Sequence, residues 1–257
     1  MLKIIIIIIL VYVLLIKPPF RKRHVKGLFT HRGHHDENNI VLENSLAAFE
    51  KSCQKGYGIE LDVQLSKDDV VYVFHDGDFV RLLGNNDKLS DLNSWEIDLM
   101  TINGHTIPRF SEVLECVAGR VPLIVELKPL GDYKRLATKT VEQLDDYEGE
   151  FVVESFDPRI VFWFRLHRRN YTRGQLIMQE KEYDVRFVPY LWIHLWINVL
   201  TRPDFMAVHK NLFPLSINLK LYQAMGGNIV SWTIHEKDPQ FENVDAMIFE
   251  YFEPKTQ

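Results

Sequence analysis

Cysteine is scarce: the 257 residues contain two, Cys53 and Cys116, far apart and without CxxC spacing. That excludes a disulfide framework and a cysteine-based zinc site, and a chain this long builds a full core without staples. Glycine (13) and proline (11) are modest. With 46% hydrophobic and 25% charged residues, the chain is neither disordered nor collagen-like. Net positive charge is also lacking; the formal charge of −5 argues against a dedicated nucleic-acid binder. Length allows one or two domains.

Acidic residues are missing altogether from positions 1–35, which carry +7 and leave −12 on the rest. Ile4 to Ile16 is an unbroken run of 13 apolar residues, flanked by Lys3 and by Lys17, Arg21, Lys22, Arg23 and Lys26. A membrane span needs about 17–25 residues, and snorkelling of Lys3 and Lys17 would lengthen this one. A signal peptide would want a small-residue cleavage site, whereas Pro18-Pro19-Phe20-Arg21 follows. A buried N-terminal strand is the third reading. Residues 1–26 are therefore expected to be a transmembrane anchor with a basic linker. The cations lie C-terminal to the run, which by the positive-inside rule places the body, 27–257, on the cytoplasmic side.

From residue 27 strand-like and helix-like runs alternate. Strands are expected at 27–31, 59–63, 70–74, 123–127, 151–153, 176–178, 205–208, 229–233 and 246–249. Helical spacing occurs at 43–55 (with Asn44 as N-cap), 111–118, 132–144, 158–168 and 212–225. Such alternation implies a parallel sheet, and this many units over about 230 residues suggests an α/β fold, a closed (β/α)₈ barrel. Only six residues, Gln64–Asp69, separate the strands at 59–63 and 70–74. A parallel crossover needs about a dozen, so this pair must be an antiparallel hairpin that returns His75 beside Glu60 and Asp62.

Barrel chemistry sits at the C-terminal strand ends, where this chain has His31-Arg32, Glu60-x-Asp62, His75-Asp76, Glu126-x-Lys128, Ser155 and Trp232-Thr233. Period-two alternation puts Glu60 and Asp62 on one face, and Glu126 and Lys128 likewise. Three carboxylates with no cysteine beside them suit a hard divalent cation, Mg²⁺ or Ca²⁺, over zinc. Two histidines, an arginine and a lysine beside it suit a phosphate ester, with Arg32 and Lys128 on the oxygens.

In this order, His31-Arg32-Gly33, Glu43-Asn44-Ser45 with Ala48-Phe49, Glu60-Leu61-Asp62-Val63, Val73-Phe74-His75-Asp76 and Glu126-Leu127-Lys128 resemble the glycerophosphodiester phosphodiesterase family. Ile107-Pro108, Ser155-Phe156 and Trp232-Thr233 also fit, and the resemblance covers about residues 28–250. It implies a TIM barrel with a small insertion at about 77–110, and hydrolysis of a glycerophosphodiester to glycerol 3-phosphate and an alcohol. It further implies Glu60, Asp62 and Glu126 as metal ligands and His31 and His75 as the acid/base pair. Arg32, Lys128 and Trp232 would bind substrate, and Asn44 would support the site. The chain departs from the family pattern at Leu42, at His235 in place of an asparagine, and at Phe249-Glu250-Tyr251-Phe252 in place of Thr-Asp-x-Pro. His34 and His35 read as part of a solvated loop.

Residues 187–201 contain no Asp, Glu, Lys or Arg and include Phe187, Tyr190, Trp192 and Trp196. They read either as a core helix or as an interfacial lip beside the mouth that would suit a lysophospholipid. The competing functions are a lysophospholipase D or sphingomyelinase D-like lipid hydrolase and, from another class, a membrane-tethered protein that binds glycerophosphodiesters without cleaving them. The expected partners are a phospholipid-derived small molecule and the membrane, with no nucleic acid.

Overall fold

The computed structural model describes residues 2–19, 24–179, 194–239 and 243–254. Eight parallel strands form its centre: β1 (Gly27–Thr30), β2 (Gly58–Leu65), β6 (Leu123–Leu127), β7 (Phe151–Ser155), β8 (Arg173–Ile177), β9 (Phe205–His209), β10 (Asn228–Ile234) and β11 (Ala246–Phe249). Each pairs with the next, and β1 closes the ring by pairing with both β11 and β2. The expected barrel is therefore present. The ninth expected run, β3 (Val71–Val73), pairs antiparallel with β2 through Val63↔Val73 and Leu65↔Val71, as the short connection requires.

The pleat explains the layers. In β2, Ile59, Leu61 and Val63 pack with Phe49, Phe110 and Leu136 in the helix layer, so Glu60, Asp62 and Gln64 alternate into the barrel. Outside lie α2 (Leu46–Lys55), α5 (Phe110–Val117), α6 (Tyr133–Leu144), α7 (Pro158–His167), α8 (Asn198–Thr201) and α9 (Ile217–Ala224). On α6, Leu136, Ala137, Val141 and Leu144 form the buried stripe, and Asp132 caps its first turn by accepting from the Lys134 and Arg135 amides. Between β3 and α5 the chain forms two short helices, α3 (Val80–Leu83) and α4 (Ser94–Ile97), and a hairpin of β4 (Thr101–Ile102) and β5 (His105–Thr106). Tyr72, Phe79, Leu89, Ile97 and Ile102 give this segment its own apolar cluster.

Three expectations are corrected. The cap of α2 is Ser45, whose hydroxyl accepts from the Ala48 amide at 3.2 Å, a contact worth about 1 kcal/mol. Asn44 instead has a left-handed backbone (φ 52), which asparagine tolerates, and that turns its side chain toward the barrel interior. The N-terminal run forms α1 (Leu2–Ile16), 15 residues or about 22 Å, short of the ~30 Å hydrocarbon core. No helix among the described residues is long and apolar enough to cross a membrane, so the transmembrane anchor is not present there. The last turn of α1 is used differently: Ile16 is fully buried against Ile177, Leu195, Met206 and Val208, and the Tyr12 hydroxyl donates to the His194 carbonyl at 2.9 Å. Finally, His35 is buried, packed edge-to-face on Tyr251, and His34 is half-buried, so neither is a solvated loop residue.

Of the apolar stretch 187–201, Phe187, Tyr190 and Trp192 lie outside the described residues. Within 194–201, Leu195 and Asn198 are buried while Trp196 is exposed.

Candidate active site

Two neighbouring strands build the acidic centre. The β2–β6 register sets Asp62 beside Glu126, with Glu60 two residues earlier on the same face of β2. All three are buried, and one carboxylate oxygen from each lies within 4.8 Å of the others. The Asn44 amide donates to Asp62 Oδ2 at 2.9 Å, and Lys128 Nζ lies 2.9 Å from Glu126 Oε1 and 3.4 Å from Asp62 Oδ1. Arg32 contributes its backbone N–H to Glu60 Oε2 (3.1 Å) and its side chain to Glu43 Oε1 (2.8 Å).

Crowding divides the carboxyl groups electrostatically. Burial, then the charges of Asp62, Glu126 and Glu154, pushes Glu60 well above the usual carboxylate range. Burial likewise raises Glu126. Burial would raise Asp62 too, but Lys128, His75 and Arg32 outweigh it and hold that group low. The donors are all hard oxygens from rigid strands, and a divalent cation would relieve their mutual repulsion. The residues present therefore fit a hard divalent cation.

Two histidines flank this centre, each braced by a carboxylate. A carboxylate only accepts, so His31 donates through Nδ1 to Glu250 Oε2 (2.5 Å) and His75 through Nδ1 to Asp76 Oδ1 (2.7 Å). Both Nε2 atoms are thereby left for other work. Strand-end geometry places the first pair. The His31 amide donates to the Phe249 carbonyl and the Glu250 amide to the Ile234 carbonyl, which aligns His31, Glu250 and His235 across three neighbouring strand ends. His235 Nε2 meets Glu250 Oε1 at 3.0 Å, and its Nδ1 lies 2.6 Å from Lys210 Nζ. Burial would raise Glu250, but hydrogen bonds from His31 and His35 hold it far down. Burial, helped by Arg32, lowers His31 to about 4 in spite of Glu250.

A second brace comes from the segment after β3. Arg81 donates bidentately to Glu43 (2.9 and 2.6 Å) and through Nε to Asp76 Oδ2 (2.7 Å). Glu43 thus holds both Arg32 and Arg81, and Asp76 both His75 and Arg81. Burial opposes it, but Arg81 and Arg32 hold Glu43 at about 2, and hydrogen bonds from His75 and Arg81 hold Asp76 at about 2.

All nine residues singled out from sequence lie on the barrel's strands or the turns leaving them. Eight of them, His31, Arg32, Asn44, Glu60, Asp62, His75, Glu126 and Lys128, form one cluster linked by these contacts or by charge. Trp232 stands on β10 with its ring edge-to-face on Phe156, whose ring lies 6.0 Å from Lys128 Nζ. The indole Nε1 is buried without a hydrogen-bond partner among the described residues. Sequence reading missed Arg81, Glu154 and the role of Glu250. Glu154 is level with Glu126 in the β6–β7 register, and burial and the Glu126 charge raise it far above the usual range. Its position at a strand end was a usable signal; Arg81, on a four-residue helix in a segment without strand or helix periodicity, offered none.

The family model described as the glycerophosphoryl diester phosphodiesterase family matches residues 31–250. A glycerophosphodiester phosphodiesterase of Caldanaerobacter subterraneus subsp. tengcongensis is 30% identical over 143 residues, which cover 51% of this chain and 58% of that protein. The human lysophospholipase D GDPD1 is 32% identical over 123 residues, 47% of this chain and 38% of that protein. The alignments thus span only about half of these curated relatives or less. A phosphodiesterase from Oleispira antarctica, solved in complex with the product sn-glycerol-3-phosphate, shares the fold with a TM-score of 0.70 at 20% identity, covering 87% of this chain and 92% of its own. Because the family match runs from the His31 turn to Glu250 and so takes in the whole barrel mouth, the chain belongs to the glycerophosphoryl diester phosphodiesterase family.

Proposed function

We propose that the chain is a metal-dependent phosphoric diester hydrolase that converts glycerophosphodiesters to glycerol 3-phosphate and an alcohol. The observation that carries this reading is the convergence at one barrel mouth of three buried carboxylates within 4.8 Å and two histidines, each braced on its own carboxylate. Glu60, Asp62 and Glu126 would hold Mg²⁺ or Ca²⁺, which when bound neutralises phosphoryl oxygens and polarises the phosphorus centre. Arg32 and Lys128 add fixed positive charge at the same place. His31, neutral at neutral pH, accepts the proton of the attacking hydroxyl at Nε2, whether that hydroxyl is water or the substrate's own glycerol group. His75 donates a proton at Nε2 to the departing alkoxide, and the Asp76 carboxylate at Nδ1 holds the ring in place for that transfer. Asn44 keeps Asp62 oriented, and Trp232 with Phe156 walls the side next to Lys128.

The human relative's name extends the reading to lysophospholipids, whose phosphodiester linkage presents the same reacting atoms. The test is release of glycerol 3-phosphate from glycerophosphocholine and related diesters with EDTA, then with Mg²⁺ or Ca²⁺ restored, and release of lysophosphatidic acid from lysophosphatidylcholine in parallel. Turnover is expected to vanish in EDTA and return with the cation. His31→Ala and His75→Ala should abolish it while calorimetric metal binding persists. EDTA-resistant turnover, or full activity in either histidine variant, would overturn the mechanism.

A further inference from the structure

Beyond this reaction, α1 presents a second kind of surface. Its last turn is docked: the Asn198 side chain donates to the Ile16 carbonyl (3.3 Å), and Arg202 donates to the carbonyls of Leu15 (3.2 Å) and Lys17 (2.9 Å). The contacts of Tyr12 with His194, Ile16 with Asn198 and Lys17 with Arg202 follow one another in order, so α1 runs alongside the chain from His194 to Arg202 in the same direction, and Leu2 to Val11 lie beyond the first of them. Every residue from Leu2 to Val11 is exposed, and all but Lys3 are apolar. The exposure is around the whole helix: Ile4 64%, Ile5 46%, Ile6 47% and Ile7 58% point in four successive directions. Helices that are apolar all round are found inside cores or in lipid.

The barrel flank beside α1 continues this character. Trp196 packs edge-to-face on Tyr12 (5.4 Å) and is itself 44% exposed, and Leu200 on α8 and Leu166 on α7 are exposed as well. At the base of the same flank Lys17, Arg165, Arg169, Arg173 and Arg202 line a cleft whose lining includes no carboxylate among the described residues. Asp204, the partner of Arg173, is buried. Burial and the neighbouring Arg165 lower the pKa of Arg202, as expected where two cations lie close together.

We propose that the flank formed by α1, α8 and α7 is a one-sided membrane-binding face, with α1 lying beneath the headgroups of an anionic bilayer and the basic cleft meeting lipid phosphates. The helix is too short to cross and is charged at both ends. Lying in the plane lets Lys3 and Lys17 both reach the headgroup layer, whereas a steep insertion would carry Lys3 into hydrocarbon. A second copy of the chain would cover one stripe of α1 and leave the opposite isoleucines in water; lipid covers all of them. The adjacent cations select an anionic surface, and the exposed tryptophan suits the headgroup level.

The test is sedimentation of the full chain with phosphatidylcholine vesicles and with vesicles doped with phosphatidylserine, alongside its turnover of soluble glycerophosphocholine. Wild type should bind the anionic vesicles, more weakly as salt is raised. Ile7→Asp with Leu10→Asp should abolish binding to both. Arg169→Gln should weaken binding to anionic vesicles about fivefold, the factor one cation gains at such a surface, and leave neutral vesicles unaffected. Vesicle binding is read independently of turnover, so it fails or succeeds separately from the hydrolase reading. Turnover of the soluble diester should be the same in all variants. Absence of vesicle binding, binding unchanged in the α1 double variant, or a solution dimer that this variant turns into a monomer without vesicle binding would each overturn the proposal.

Discussion

Replacing Glu250 with glutamine keeps the volume and removes the anion between His31 and His235. In the structure Glu250 accepts from His31 Nδ1 at 2.5 Å and from His235 Nε2 at 3.0 Å, and its side chain is 13% exposed. A hydrogen bond to a charged group at such a site is worth about 1.5–3 kcal/mol, and it matters most when His31 becomes an imidazolium in the transition state. At about 1.4 kcal/mol per decade, kcat should fall roughly 10- to 150-fold while KM changes little, because the interaction strengthens with the developing charge. Steady-state kinetics on glycerophosphocholine at saturating metal would measure this. A pH profile separates it from misfolding. The Glu250 anion raises the His31 pKa, and burial has already lowered that group to about 4. Removing the anion therefore moves the acid limb of kcat/KM further down in pH, since a base with a lower pKa stays deprotonated longer. Glu250→Asp should restore part of kcat. The reasoning is refuted by a variant with unchanged kcat, or by an acid limb that moves upward.

Two further outcomes follow from the same electrostatics. Glu60 has a raised pKa, so the folded state binds its proton more tightly than the unfolded chain, and stability falls as pH rises from the ordinary carboxylate value through the raised one. Glu60→Gln should then melt no lower than wild type in EDTA at mildly alkaline pH, and Mg²⁺ or Ca²⁺ should raise the melting temperature of wild type only. A cation-induced rise of equal size in the variant would remove Glu60 from the ligand set. Arg81→Ala frees both Glu43 and Asp76, and because Arg81 is 45% exposed its bonds are partly screened. A roughly tenfold loss in kcat/KM is expected. Lysine at this position should rescue it only in part, for one ammonium cannot reproduce the planar fork that makes two bonds to Glu43 while Nε reaches Asp76. Wild-type kinetics in Arg81→Ala would show the bridge to be idle.

Much of the barrel could be read along the chain because its signals are local. Apolar β-branched runs marked the strands, and period-two alternation put Glu60 and Asp62 on one face. A six-residue connection left no room for a parallel crossover. Errors arose where a neighbour decided the outcome. Asn44 and Ser45 are both good capping residues, and Asp62 on β2 takes the Asn44 side chain and leaves the cap to Ser45. His34 and His35 sit in a polar stretch, yet the C-terminal turn folds over them and His35 packs on Tyr251. The α1 run has the composition of an anchor, but its last turn finds a place in the barrel wall instead.

The sequence by itself determined the alternation of strands and helices, the pairing of Glu60 with Asp62 and of Glu126 with Lys128, and the identity of the groups at the strand ends. Those properties depend on the two- and 3.6-residue periods of the backbone, which act over a few positions. Only the tertiary structure decided that Glu250 holds His31 from 219 residues away, that Arg81 ties Glu43 to Asp76, and which carboxyls burial pushes up. Closing the ring between β1 and β11 creates the first contact, the segment after β3 folding back on Glu43 creates the second, and burial together with neighbouring charge sets the pKa values. Neither has a local signature in the chain.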